Sequence, residues 1–369
     1  MQMSTSLRKK RAAEAAKAAG VDALLVTHLP DVRYLSGFTG SSAALILTNG
    51  APRRAVLFTD GRYTAQARAE AAGTRVVIAP KPLQAACEWI VKHRVKRCGF
   101  EAAQTTVASL SAMRKAVTGA SKPKSSKPKF VAVKPLVARL REIKDAEEIQ
   151  RMRAAAAMGC MLFDRMLDLL QPGMTEMTVA AELEFAARRA GAEGMSFQTI
   201  VASGIRSSMP HGHASSAKLP HRGFVTLDFG VVLEGYCSDM TRTVHLGLAT
   251  APERQAYDAV LEAQEAGVAA VRAGVSAGDV DEAARSVLRR ARLDKWFTHS
   301  TGHGVGLEIH EAPRLAAKAT QLLEAGMVVT IEPGIYMPGK FGLRIEDTLV
   351  VTRTGCEILT PSTKAWIEL

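Results

Sequence analysis

The chain has 369 residues, 47% of them hydrophobic, and 48 Lys+Arg against 36 Asp+Glu give it a net charge of +12. That length admits two ordinary domains or one large one with ample core material, and the absence of any apolar run of roughly 18 residues argues against a membrane span. The basic residues Arg8, Lys9, Lys10 and Arg11 are not followed by an apolar segment and cleavage site, so a secretory leader is not supported. Five scattered cysteines, never in a CxxC pair, read as reduced thiols of a cytoplasmic protein rather than a disulfide frame or zinc site. Charge is uneven: residues 1–145 hold 26 Lys+Arg against 9 Asp+Glu, and residues 146–369 hold 22 against 27. A basic half raises nucleic acid as a partner. Its cations are spread out, with few aromatics among them and no nucleic-acid motif, so neither nucleic acid nor membrane is expected to bind. The acidic half is where metal ligands are expected.

From Ser4 to Lys134, short apolar runs alternate with helical stretches. Ala23–Val26, Ala43–Leu47, Ala55–Phe58, Arg75–Ile78 and Arg97–Gly99 read as strands; Thr5–Ala19, Arg62–Ala71, Pro82–His93 and Thr106–Val117 read as helices. The alternation predicts an α/β domain over residues 1–134. Gly119–Lys129 (GASKPKSSKPK) has nothing to bury and reads as an exposed loop. A second domain, α+β, is expected over 135–369. It opens with a long helix capped by Asp145, carrying Glu147 and Glu148 in its first turn, running to about Leu170 and ended by Pro172-Gly173.

This second domain repeats itself. Pro172–Ala190 matches Ala273–Ala291 with Gly173 on Gly274, Thr175 on Ser276 and Val179 on Val280, and the Thr/Ser is a helix N-cap residue in both. VTLDFG (Val225–Gly230) with GYCSDMT (Gly235–Thr241) matches VTIEPG (Val329–Gly334) with GLRIEDT (Gly342–Thr348). Asp228 thereby meets Glu332, and Asp239 meets Glu346. Each half reads as helix, helix, then a β-hairpin bearing two acids, the halves being related by a pseudo-twofold.

Four carboxylates cannot converge in a protein interior unless cations neutralise them. Two divalent ions about 3.5–4 Å apart meet that demand. Between the copies, THSTGHGVGLEIHE (Thr298–Glu311) sets His303 among glycines that allow close backbone approach, which makes it the best nitrogen ligand. An oxygen-rich set with one imidazole favours Mn²⁺, with Co²⁺ or Zn²⁺ as competitors. His211, in SMPHGHAS, precedes His310 by nearly the repeat offset, which makes these two a pair flanking the metals. His299, four residues before His303, is a weaker candidate. His213, His221, His245, His28 and His93 read as ordinary structural or surface residues.

These segments carry a resemblance. VTLDFGVVLEGYCSDMTRT, HSTGHGVGLEIHEAP, IEPGIY and GLRIEDT resemble the signatures of the pita-bread metallopeptidases, which include aminopeptidase P, prolidase and methionine aminopeptidase. YLSGFTGSSAALILT (Tyr34–Thr48) and LFTDGRYTAQA (Leu57–Ala67) resemble the creatinase/prolidase-type N-terminal domain found on aminopeptidase P and prolidase. The resemblance implies Asp228, Asp239, His303, Glu332 and Glu346 as ligands of two ions, with Asp239 and Glu346 bridging, and a metal-bridged hydroxide as nucleophile. It further implies that Glu332 relays a proton to the leaving nitrogen, that His310 donates to the carbonyl oxygen or oxyanion, and that His211 bonds near the scissile bond. His299 and Arg344 would shape the substrate site, with Arg344 orienting a ligand carboxylate.

The reaction implied is removal of an N-terminal residue before proline from a peptide with proline second, by a homodimer. The nearest alternative is a prolidase, restricted to Xaa-Pro dipeptides; the two differ in whether the cleft beyond proline is open or closed by a carboxylate-binding Arg or a loop. The FTGS and TDGRY segments favour the aminopeptidase. A remote third reading is an inactive pita-bread fold acting as a binding protein.

Overall fold

The computed structural model describes residues 5–49, 55–121 and 127–369. They form two compact units, Met1–Arg141 and Glu142–Leu369. In chain order the first unit runs α1 (Thr5–Ala18), β1 (Ala23–Val26), α2 (Leu29–Ser36), β2 (Ala43–Thr48), β3 (Ala55–Thr59), α3 (Thr64–Glu70), β4 (Arg75–Ile78), α4 (Pro82–Lys92), β5 (Arg97–Glu101), α5 (Val107–Ala120), β6 (Lys129–Val133) and α6 (Leu136–Arg141). The six strands form one sheet in the order β4-β3-β2-β1-β5-β6. Its centre is antiparallel, β1 with β2 and β2 with β3, and its flanks are parallel. Three elements, α2, β6 and α6, escape the periodicity. The eight-residue α2 starts with Pro30 near its N-terminus, where the missing N–H costs nothing, and Gly37 at φ 83° stops it. β6 follows directly on the Lys/Ser/Pro-rich stretch, of which residues 122–126 lie outside the described residues.

The first unit reaches past residue 134 because α6 is tied into it. Arg141 Nη1 donates to Asp31 Oδ1 at 2.7 Å, both side chains being buried, and the Val137 N–H donates to Glu101 Oε1 at 2.7 Å.

The second unit contains α7 (Ala146–Leu167), α8 (Glu176–Arg189), β7 (Gly194–Met195), β8 (Ile200–Ser203), β9 (Gly223–Phe229), β10 (Val231–Leu233), β11 (Tyr236–Cys237) and β12 (Met240–Leu246) as its first half. Its second half holds α9 (Ala251–Ala270), α10 (Ala277–Arg290), β13 (Gly302–Gly304), β14 (Glu311–Leu315), β15 (Val328–Ile331), β16 (Gly334–Met337), β17 (Phe341–Arg344), β18 (Asp347–Val351) and β19 (Cys356–Ile358).

The repeat is visible at the level of single hydrogen bonds. Thr175 Oγ1 caps α8 by accepting from Thr178 N–H, and Ser276 Oγ caps α10 by accepting from Asp279 N–H, each at 3.0 Å. Such a cap contributes about 1 kcal/mol. Gly173 and Gly274 stand at φ 88° and 87°, and their N–H groups donate to Leu219 O and Leu323 O. α7 and α9 both begin in a capping box, Asp145 with Glu148 and Thr250 with Glu253.

The acid-bearing strands differ from simple hairpins. β9 pairs antiparallel with β12, and β15 with β18. The connection in each case is a smaller hairpin of its own, β10–β11 in one half and β16–β17 in the other. The acids therefore sit where the paired strands end and the chain leaves on this excursion: Asp239 immediately precedes β12, Glu332 immediately follows β15, and Glu346 immediately precedes β18. The two halves are stitched together there. The Glu346 N–H donates to Thr241 O at 3.1 Å, and Thr348 Oγ1 donates to Asp239 O at 2.8 Å. Behind the seam, fully buried Arg242 donates to Asp347 Oδ1 at 2.8 Å and to the carbonyls of Glu346, Thr360 and Ser362, while Lys364 Nζ takes Asp347 Oδ2. The Glu346 carbonyl and the neighbouring Asp347 side chain are thus held by ionic hydrogen bonds.

Candidate metal centre

One cavity of about 590 Å³ in the second unit is lined by all nine side chains expected at the site: His211, Asp228, Asp239, His299, His303, His310, Glu332, Arg344 and Glu346. Asp228, Asp239 and Glu346 are buried, at 8%, 4% and 1% exposure.

His303 projects from β13, where Gly302 permits a contact no other residue would: a Cβ there would lie 1.9 Å from Thr330 O. Thr330 Oγ1 accepts from the His303 N–H at 3.1 Å and donates to Glu332 Oε1 at 3.2 Å, which ties both residues to one strand. His303 Nδ1 lies 3.0 Å from Gly304 O. A carbonyl can only accept, so Nδ1 carries the proton and Nε2 presents its lone pair. That Nε2 faces Asp239 Oδ2 at 3.5 Å and Glu332 Oε1 at 3.4 Å.

Ligand atoms each about 2.1 Å from one ion sit about 3.0–3.5 Å apart. Donor atoms of Asp239, His303 and Glu346 all lie within 4.8 Å of one another. Asp228 Oδ1 is buried with no hydrogen-bond partner among the described residues. Such an orphan acceptor is costly unless a cation meets it. The donor set fits divalent metal.

Arg344 is a buried cation among the acids, and its reach is wider than the sequence suggests. Its Nη2 donates to Asp228 Oδ2 and its Nη1 to the Tyr336 hydroxyl. Nε donates at 3.1 Å to Thr241 Oγ1, which donates to Glu346 Oε2 at 2.7 Å. Nη1 also holds Pro210 O, next to His211, at 3.2 Å. Tyr336, which sequence reasoning missed, completes the chain. His299 Nδ1 bonds Ser300 O at 2.8 Å and so carries the proton, leaving Nε2 to accept from Tyr336 Oη at 3.0 Å. Tyr336 falls in IEPGIY, two residues beyond Gly334, but its role shows only through its partners His299 and Arg344.

Four further residues of the wall were not expected. His213 lines the cavity, contrary to its reading as an ordinary histidine; Arg314 lines it from β14; and Phe197 and Ile309 form part of its apolar surface. The register of the β13–β14 pair puts Arg314 directly opposite His303, information that only strand pairing supplies.

Burial raises Asp239 and Glu346 well above the usual carboxylate range, reinforced by their acidic neighbours, and raises Glu332 to about 8. Burial also pulls His299 and His303 down to about 4, so both imidazoles are neutral at pH 7. Protons and metal compete for the same atoms. Glu332 has a folded-state pKa above its ordinary 4.5, so its favourable contribution in metal-free protein belongs to the protonated form and is lost as pH rises through about 8. A cation reverses that sign by stabilising the carboxylate. The rise in melting temperature on adding Mn²⁺ is therefore expected to be small near pH ~5.5 and to grow towards pH ~8.5. Thermal melts with and without the ion check this, and a pH-independent shift would contradict it.

Known proteins show the same organisation. A model of metallopeptidase family M24 matches residues 150–353, and one of the creatinase/prolidase N-terminal domain matches residues 8–143. An uncharacterized peptidase of Bacillus subtilis is 39% identical over 95% of this chain and 96% of its own length. Among solved structures, an Xaa-Pro dipeptidase from Bacillus anthracis superposes with a TM-score of 0.93 at 38% identity, over 99% of this chain and 100% of that one. An X-Pro aminopeptidase from Thermotoga maritima gives 0.86 at 33%, over 96% of this chain and 100% of that one. Two acid-bearing half-repeats, the histidine between them and an α/β domain in front are thus those of a metal-dependent peptidase, and the chain belongs to metallopeptidase family M24, with a creatinase/prolidase N-terminal domain and a pita-bread catalytic domain.

Proposed function

We propose that this peptidase is a dinuclear Xaa-Pro dipeptidase, with Asp228, Asp239, His303, Glu332 and Glu346 holding two divalent ions, Mn²⁺ being favoured by the oxygen-rich set. The aminopeptidase ranked first from the sequence gives way to its alternative on one observation. Arg314 lies opposite His303 on the cavity wall, its side chain is exposed, and it has no acid partner among the described residues. A cation so placed, next to a metal ligand, suits the C-terminal carboxylate of a substrate that ends at proline. A longer peptide has no charge there. The greater similarity to the Bacillus anthracis dipeptidase than to the Thermotoga maritima aminopeptidase supports the same reading.

When bound, the ions polarise the scissile carbonyl and lower the pKa of water. The rest falls to side chains. Glu332 takes a proton and passes it to the leaving nitrogen. His310, with its ring 4.4 Å from that of His303, donates to the oxygen on which charge develops. His211 bonds beside the leaving nitrogen. Proline brings no amide hydrogen, and the apolar Phe197, Ile200 and Ile309 on the wall suit its ring.

Arg314→Ala is expected to raise KM for an Xaa-Pro dipeptide by about 10–100-fold, the worth of a charged hydrogen bond, and to leave any slow cleavage of an Xaa-Pro-Xaa tripeptide unchanged. Equal effects on both substrates would remove the carboxylate role.

A further inference from the structure

Glu176, the first residue of α8, is fully buried, and both its oxygens serve the segment that carries His211. Oε1 accepts from the Ser203 N–H and from Ser203 Oγ, each at 2.9 Å. Oε2 accepts from Arg206 Nε at 3.0 Å, from Ser215 Oγ at 2.7 Å and from the Ser215 N–H at 3.2 Å. Arg206 then reaches across the same segment, its Nη2 donating to His213 O at 2.9 Å. One carboxylate and one guanidinium thus fasten residues 203, 206, 213 and 215, which bracket His211.

The second half solves the same problem with other residues. Asp281, buried on α10, is held by Arg285 Nε and Nη2 at 3.0 Å each and accepts from the Thr301 N–H at 3.1 Å and from Thr301 Oγ1 at 2.9 Å. Arg285 also donates to Phe297 O and His299 O at 3.1 and 3.0 Å. Thr301 O in turn receives the Glu332 N–H at 2.8 Å. Glu176 aligns with Ala277 and Asp281 with Ala180 under the offset that relates the helices, so the repeat did not simply copy one pair into the other half. Each half has its own carboxylate–arginine pair, running from the helix after the glycine turn to the segment bearing a site histidine.

We propose that Glu176 and Arg206 are positioning residues that act through His211, holding its imidazole where the leaving nitrogen departs. This rests on the catalytic reading of His211 above. Arg206 is the better residue to remove, because its side chain is 31% exposed and Glu176 keeps its four serine donors without it.

Arg206→Ala is expected to lower kcat on an Xaa-Pro dipeptide by about 10–100-fold, as loss of supporting contacts does elsewhere, with metal content and melting temperature at wild-type levels. Amide exchange in residues 204–215 should rise while the rest of the second unit stays protected. In a His211→Ala background the same substitution should cost nothing further, because two changes acting through one group do not add. An equal fold-loss in both backgrounds, an unaltered kcat, or unaltered exchange in 204–215 would overturn the proposal. Full activity of His211→Ala by itself would overturn the reading of His211 and the positioning role with it. If Arg206→Ala melts well below the wild type, Arg206→Lys serves the same cycle, since it keeps a charge for Glu176 but is too short and too narrow to hold His213 O as well.

Discussion

Glu332→Gln is expected to lower kcat by about 10²–10⁴-fold, the range lost when a positioned acid–base group is removed. Two functions go at once. The amide cannot carry a proton, and it is a poorer metal donor than a carboxylate. In metal-free protein burial raises its pKa to about 8, opposed by Arg344 and reinforced by Asp228. A bound cation favours the carboxylate instead, which is the form that can accept a proton. Thr330 Oγ1 holds one oxygen at 3.2 Å, so Gln can occupy the same position and fold with it. Single-turnover measurements on protein of verified metal content check the prediction; activity within a few-fold of wild type would refute the role.

Removing metal is expected to abolish activity, and the physical reason is electrostatic before it is catalytic. Asp228, Asp239, Glu332 and Glu346 share one cavity with the buried Arg344 guanidinium, and Asp228 Oδ1 lacks a partner among the described residues. Without cations the cluster takes up protons to relieve its charge, as the raised Asp239, Glu332 and Glu346 already indicate. Protonated acids are neither ligands nor bases. Dialysis against a chelator should therefore remove turnover, and Mn²⁺ should restore it in proportion to the ion bound, saturating at two per chain. Restoration complete at one ion per chain would contradict the dinuclear reading, and activity surviving chelation would contradict the metal reading altogether.

The four acids of the proposed centre were legible in the sequence because duplication set them at matched places, whereas His303 was legible only from its setting among glycines between the two copies. Asp228 with Glu332 and Asp239 with Glu346 hold equivalent places, and the helix caps Thr175 and Ser276 repeat down to the bond length. Most helices and strands of the first unit were legible from their periodicity. α2 was not, because eight residues starting at Leu29-Pro30 and ending at Gly37 offer barely two turns of pattern. The excursions β10–β11 and β16–β17 were hidden inside what read as turns, since two- to four-residue strands carry almost no alternation. Arg314, Tyr336, Thr241 and the Glu176–Arg206 pair were illegible for a different reason. Each matters through a partner that strand register or tertiary packing supplies, and nothing in the local sequence separates them from ordinary surface arginines, core tyrosines or helix-start glutamates.

A metal-dependent peptidase built for Xaa-Pro dipeptides has to discriminate against longer peptides. The most direct test is turnover by the Mn²⁺-loaded protein of an Xaa-Pro dipeptide and of the Xaa-Pro-Xaa tripeptide that extends it by one residue. The dipeptide is expected to be cleaved with kcat/KM at least about 10-fold higher, the charged hydrogen bond to Arg314 being available to it alone. Faster cleavage of the tripeptide would return the protein to the aminopeptidase reading, and cleavage of neither would contradict the account as a whole.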